Sequence, residues 1–142
     1  MNTQMRWQAS GGRLPLSAQN WLAERAFRQG DIPAVRRFTR AFGARTGIGA
    51  ARLADFVLAV SEAAACATGG GPCTARVRLW VTGTRAFCEV RGNGMLLRRS
   101  ARGTWPGEEE ALRRWVLHRL SDHVSVASGP DGAWVLLSMT VT

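Results

Sequence analysis

The sequence predicts an α/β (α+β) fold: a two-layer sandwich of one mixed, mostly antiparallel sheet with about three helices on one face. Three observations carry this. Two apolar stripes at helical spacing follow each other between residues 31 and 68. Two segments of strict apolar/polar alternation follow between 74 and 91. A further helical stretch then leads into a second alternating pair at the C-terminus. The length of 142 residues suits one domain, and 46% hydrophobic residues with six Trp suit a packed core.

Residues 1–20 are polar and Gly-containing and are expected to form a flexible arm, leaving 21–142 as the single domain. Trp21 to Phe27 is expected to be an edge strand. Asp31-Ile-Pro reads as a helix start, with Asp as cap and Pro in the first turn. Ile32, Val35, Phe38 and Phe42 form that helix's apolar stripe, and Gly47 and Gly49 end it. In the second helix Leu53, Phe56, Val57 and Val60 form the stripe, which runs on to Cys66 until Gly69-Gly70-Gly71-Pro72 stops it.

Ala75, Val77, Leu79 and Val81 then alternate with polar neighbours. After a turn at Gly83, Ala86, Cys88 and Val90 do the same, as in a β-hairpin with one buried face. Gly92-Asn93-Gly94 breaks the second strand. Residues 95–107 form a basic loop, and Glu108, Glu109 and Glu110 open a third helix at the positive end of its dipole. Leu112, Trp115, Val116 and Leu120 are its expected core face. Val124–Ala127 and Trp134–Val141 close the domain as a hairpin through Pro130-Asp131-Gly132.

Charge and cysteine usage narrow the function. All 19 basic residues are Arg, against 10 acidic residues, for a net charge of +9 that favours acidic partners. The arginines are scattered, so no polybasic tail is present. Three cysteines, none in a C-x-x-C pair, argue against zinc and for reduced thiols in a cytoplasm. The N-terminus lacks the apolar core of a signal peptide, and no run approaches the ~20 apolar residues of a membrane span. His118 and His123 have no paired nucleophile and are expected to be structural.

The element order, with Ser61-Glu62 late in the second helix of the stretch IPAVRRFTRAFGARTGIGAARLADFVLAVSEAAACATGGG, resembles the GHKL, or Bergerat-fold, ATPases. The branch it is most similar to is that of the anti-sigma factors that double as serine-protein kinases. The resemblance spans residues 22 to 142. It implies a general base at Glu62 and a magnesium-binding Asn one helical turn later, where this chain has Cys66. A thiol is a poor ligand for magnesium, which takes hard oxygen donors. The resemblance also implies an adenine-binding Asp after the strand, where Glu89-Val90-Arg91-Gly92-Asn93-Gly94 puts Gly92. It implies phosphate-binding glycines at the start of the last helix, where Ala111 and Arg113 stand. Leu120-Ser121-Asp122 matches the family's helix ending.

Glu62 is therefore read either as a vestigial base in a cleft or as a solvated helix residue. Losing a charged hydrogen-bond acceptor costs about 1.5–3 kcal/mol, and losing the metal ligand and phosphate cradle adds to it. A micromolar ATP site would become roughly millimolar or vanish. The expected function is a regulatory protein-binding domain resembling an anti-sigma factor, with no cofactor, or with ATP and Mg2+ if the pocket survives. The partner is a sigma factor, an anti-anti-sigma factor or a similar regulator, and the resemblance also suggests a homodimer. Candidate docking residues are Arg98, Arg99, Arg102 and Trp105 in the basic loop and Arg36, Arg37 and Arg40 on the first helix. The alternatives are an active serine-protein kinase with a rewired pocket and a nucleic-acid binder, which the lack of a recognition helix disfavours.

Overall fold

A computed structural model describes residues 22–69, 73–92, 108–129 and 132–141. The expected arm over 1–20 and the candidates Asn93, Gly94, Arg98, Arg99, Arg102 and Trp105 lie outside the described residues. The elements run β1 (Leu22–Arg28), α1 (Ile32–Thr46), α2 (Ala50–Thr68), β2 (Thr74–Thr82), β3 (Arg85–Gly92), α3 (Glu108–Leu120), β4 (His123–Gly129) and β5 (Gly132–Thr140). The expected order of elements holds throughout.

The strands form one sheet in the order β1-β2-β3-β5-β4. Every pairing is antiparallel, so the sheet is not mixed. The chain crosses through α3 between β3 and β4, and these two strands run parallel. β5 lies between them, so no parallel pair forms.

The helices pack on one face. Asp31 occupies the N-cap of α1 without a side-chain cap bond, and its carbonyl accepts from the Ala34 and Val35 amides. Gly47 ends α1 in the left-handed conformation. Val35, Phe38 and Phe42 of α1 and Phe56, Val57 and Val60 of α2 are buried as their spacing predicts. The two helices approach closely because Gly43 has no side chain. A Cβ there would overlap the Leu53 side chain. Against them lie Ala75, Val77 and Leu79 of β2, Ala86, Cys88 and Val90 of β3, and Val135, Leu137 and Met139 of β5.

The opposite face of the sheet is also largely shielded. Trp80 is 1% exposed and stacks on Phe87 with ring centroids 5.2 Å apart, beside Leu22. The hairpin register sets Arg78 opposite Glu89. Glu24 accepts from Arg76 and Arg78, and Glu89, 2% exposed, lies 3.8 Å from Arg78 Nη1 and 3.6 Å from Arg91 Nη2. Arg91 in turn covers the Trp134 ring.

One expectation about packing is corrected. Leu112 and Trp115 were expected in the core, yet they are 62% and 60% exposed, while Leu117 is buried. Helix α3 carries apolar residues on more than one face, and it is the Arg113–Leu117–Leu120 side that turns inward, with Leu120 packed against the core. Two of the three cysteines are core residues as expected, and Cys73 is only half-buried, its thiol donating to the Ala67 carbonyl.

Candidate functional site

Helix α2 packs against both α1 and α3 and carries the two helix positions of the expected site. Glu62 lies on its outward side, opposite the buried Val60 and Ala64. The side chain is half-buried, and its Oε1 accepts a hydrogen bond from Arg113 Nη1 of α3 at 3.0 Å. Glu62 is thus part-exposed and paired across to α3. Arg113 is one of the two residues standing where the family resemblance implies phosphate-binding glycines, so the structure brings two expected site positions into direct contact. Their charges neutralise each other across the α2–α3 boundary.

Cys66, one turn beyond Glu62, is buried at 5% exposure. Ala67 next to it turns its backbone carbonyl toward the end of β3. There Gly92 pairs with Ala75 on one side and Ala133 on the other. A Cβ built on Gly92 would lie 3.0 Å from the Ala75 Cβ and 3.3 Å from the Ala67 carbonyl oxygen. The place where an adenine acceptor is expected is filled from both sides by backbone and by a methyl group. Ala111 is exposed on α3.

The remaining candidates are elsewhere. Arg36, Arg37 and Arg40 are exposed on α1, which packs on α2, β1 and β2. The helix ending Leu120-Ser121-Asp122 anchors α3 to the sheet. The Ser121 amide donates to Leu117, the Asp122 amide donates to Ser138, and the Asp122 carboxylate accepts from the Thr140 amide and hydroxyl at 2.8 and 3.0 Å. Those bonds hold its pKa below the ordinary carboxylate value.

Sequence reasoning missed the charge ladder on the outer sheet face. Its signal was available, since a turn at Gly83 that pairs Thr82 with Arg85 also pairs Arg78 with Glu89. Burial pushes the Glu89 carboxyl up, against the pull of Arg91 and Arg78. A cleft of about 280 Å3 lies on the same face at the β4 edge, among Phe87, His123, Ser125, Leu136 and Ser138. Among the described residues no group of three His, Cys, Asp or Glu could hold a metal ion, and no helix is long and apolar enough to cross a membrane.

A two-layer sandwich with Glu62 late in its second helix, facing α3, is the arrangement that the GHKL resemblance implies. The chain belongs to the histidine kinase-like ATPase domain family, whose model matches residues 26–139. No curated protein matches the chain.

Proposed function

We propose that this domain is a cytoplasmic regulatory module of anti-sigma type that binds a protein partner and has weak or no affinity for ATP. The observation that carries the reading is the Glu62–Arg113 ion pair. A general base held by a guanidinium is not available to a reacting hydroxyl, and a cation with a Cβ stands where a phosphate would need bare backbone. Gly92 supports the same reading. It offers adenine no side-chain acceptor, and a Cβ there would already crowd the Ala75 Cβ at 3.0 Å and the Ala67 carbonyl oxygen at 3.3 Å. Cys66 is an unsuitable magnesium ligand. Among the described residues, Glu62, Cys66, Gly92 and Arg113 thus do not suit ATP–Mg2+.

In this reading the fold is kept for its surface. The Arg-rich segment with Arg98, Arg99, Arg102 and Trp105, together with Arg36, Arg37 and Arg40 of α1, is the docking region for an acidic regulator such as a sigma factor or an anti-anti-sigma factor. Titration calorimetry of the purified chain with ATP and Mg2+ tests the proposal. Binding at roughly millimolar affinity or none is expected. A low-micromolar dissociation constant would overturn it and favour the protein-kinase reading.

A further inference from the structure

The two edges of the sheet are unlike. Natural sheets guard an edge strand with charges, proline or a bulge, because its outward N–H and C=O groups otherwise invite another strand. Edge strand β1 reads LAERAFR and carries Glu24, Arg25 and Arg28, with Glu24 accepting from Arg76 and Arg78. Edge strand β4 reads HVSVASG and holds no Asp, Glu, Lys, Arg or Pro. It pairs with β5 residue for residue, from His123 with Ser138 to Gly129 with Gly132, so no bulge turns it aside. Among the described residues β5 is its only strand neighbour. In an antiparallel edge strand every second residue points both backbone groups away from the sheet. β4 therefore presents an unguarded row of donors and acceptors.

A place for a side chain lies beside this row. The cleft of about 280 Å3 has half-buried Phe87 and Leu136 on its inner side, and exposed His123 and Ser125 toward the edge. The register sets Ser125 opposite Leu136, and Ser138 between His123 and Phe87. Ser125 and Ser138 are small, so the cleft is open toward the edge. A strand added to β4 would lie about 4.8 Å beyond it. A Leu, Met or Phe on that strand reaches over Ser125, as long side chains reach diagonal neighbours in a sheet. Arg85 borders the cleft, donating to Ser138 Oγ at 3.0 Å. The neighbouring acid, Asp122, is already engaged by the Thr140 amide and hydroxyl.

We infer that β4 and this cleft form a docking groove for an extended segment of an acidic protein partner. The segment adds a sixth strand to the five-stranded sheet and seats one bulky apolar side chain over Ser125. The backbone row calls for an extended chain, and the cleft calls for the apolar residue. Arg85 and the net charge of +9 favour acidic residues flanking it. The inference rests on the reading of the domain as a protein-binding module and gives that module a second contact region, on the sheet face away from α1.

Hydrogen exchange of the full chain is the first test. Alternate amides of β4 should exchange rapidly at every protein concentration. Protection that rises with concentration would mean that a second copy holds the edge. Protection at all concentrations would mean that the chain covers its own edge. Either result overturns the inference. Selection of displayed random peptides against the full chain then supplies a probe. The selected peptides should carry a bulky apolar residue flanked by Asp or Glu, bind with roughly micromolar affinity and protect the alternate β4 amides. Ser125→Glu sets a like charge at the edge, and Ser125→Trp fills the cleft. Each should weaken binding by roughly tenfold or more, with circular dichroism confirming the fold. Peptides that are basic, that ignore both changes or that protect α1 instead would overturn the β4 groove and leave the protein-binding reading standing. Recovery of no peptide would likewise overturn the groove. Low-micromolar ATP binding would overturn the underlying reading, so the two failures are told apart.

Discussion

Arg113 Nη1 of α3 donates to Glu62 Oε1 of α2 at 3.0 Å, joining two side chains 51 positions apart in the sequence. Both are part-exposed, at 29% and 18%, so the pair lies between a screened surface bridge and a buried one. It ties α3 to the helix layer.

A double-mutant cycle measures that tie. Glu62→Gln and Arg113→Ala are each expected to destabilise the fold. Their coupling should be about 1 kcal/mol, the range of a partly screened charged hydrogen bond. Urea unfolding of the four proteins provides the values. Strict additivity of the two changes would mean that the pair contributes nothing to holding α3.

Gly92→Asp restores in sequence what the family resemblance expects for adenine. It is expected to destabilise by roughly 1–3 kcal/mol, the usual cost of overpacking a filled site. The new Cβ would lie 3.0 Å from the Ala75 Cβ and 3.3 Å from the Ala67 carbonyl oxygen. Thermal unfolding and ATP titration of the variant check this together. A variant as stable as the parent that also gains ATP binding would show that the cleft accommodates the nucleotide.

Glu89 gives stability a pH dependence of definite sign. Burial first, opposed by Arg91 and Arg78, raises its folded-state pKa above the ordinary carboxylate value. The folded chain therefore holds this proton more tightly than the unfolded chain. The contribution is fully present at low pH and is lost as pH rises through the folded pKa. Glu89→Gln stays neutral at all pH, so its stability relative to the parent should be greater at pH 8 than at pH 5. Melting curves of both proteins at the two pH values decide the matter, and a reversed order would refute the assignment.

Asp122 acts with the opposite sign in the parent protein. The Thr140 amide and hydroxyl depress its pKa, so its contribution is present above the unfolded pKa and is lost as pH falls through the folded one. Acid unfolding of the parent therefore reflects Glu89 in opposition to Asp122 and Glu24, whose pKa is also lowered, by its bonds to Arg76 and Arg78 against the opposing effect of burial. For this reason the Glu89 comparison is made as a difference between two proteins.

Much of the fold could be read from local patterns because those patterns have local causes. Val35, Phe38 and Phe42 recur at helical spacing and are buried. Ala75, Val77 and Leu79 alternate and are buried, and Gly83 with its positive φ sets the hairpin register. The same register contains the Arg78–Glu89 pairing, and only its burial on the outer face could not be read, since a one-sided alternation predicts that face to be solvated. The expected site was legible as positions along the chain. Its state was not, because the partner of Glu62 depends on how α3 docks.

The sequence by itself determined the order of elements, the GHKL-type fold and the residue types at the nucleotide positions, since each follows from neighbours within a few turns or one hairpin. The tertiary structure alone decided which side of α3 is buried, that Arg113 reaches Glu62, and that Gly92 is closed in by Ala75 and Ala67. The physical reason is that periodicity marks an apolar stripe without saying what will cover it. Helix α3 carries apolar residues on two sides. Docking against α2 buried the side that also satisfied the Glu62 carboxylate and left Leu112 and Trp115 facing outward.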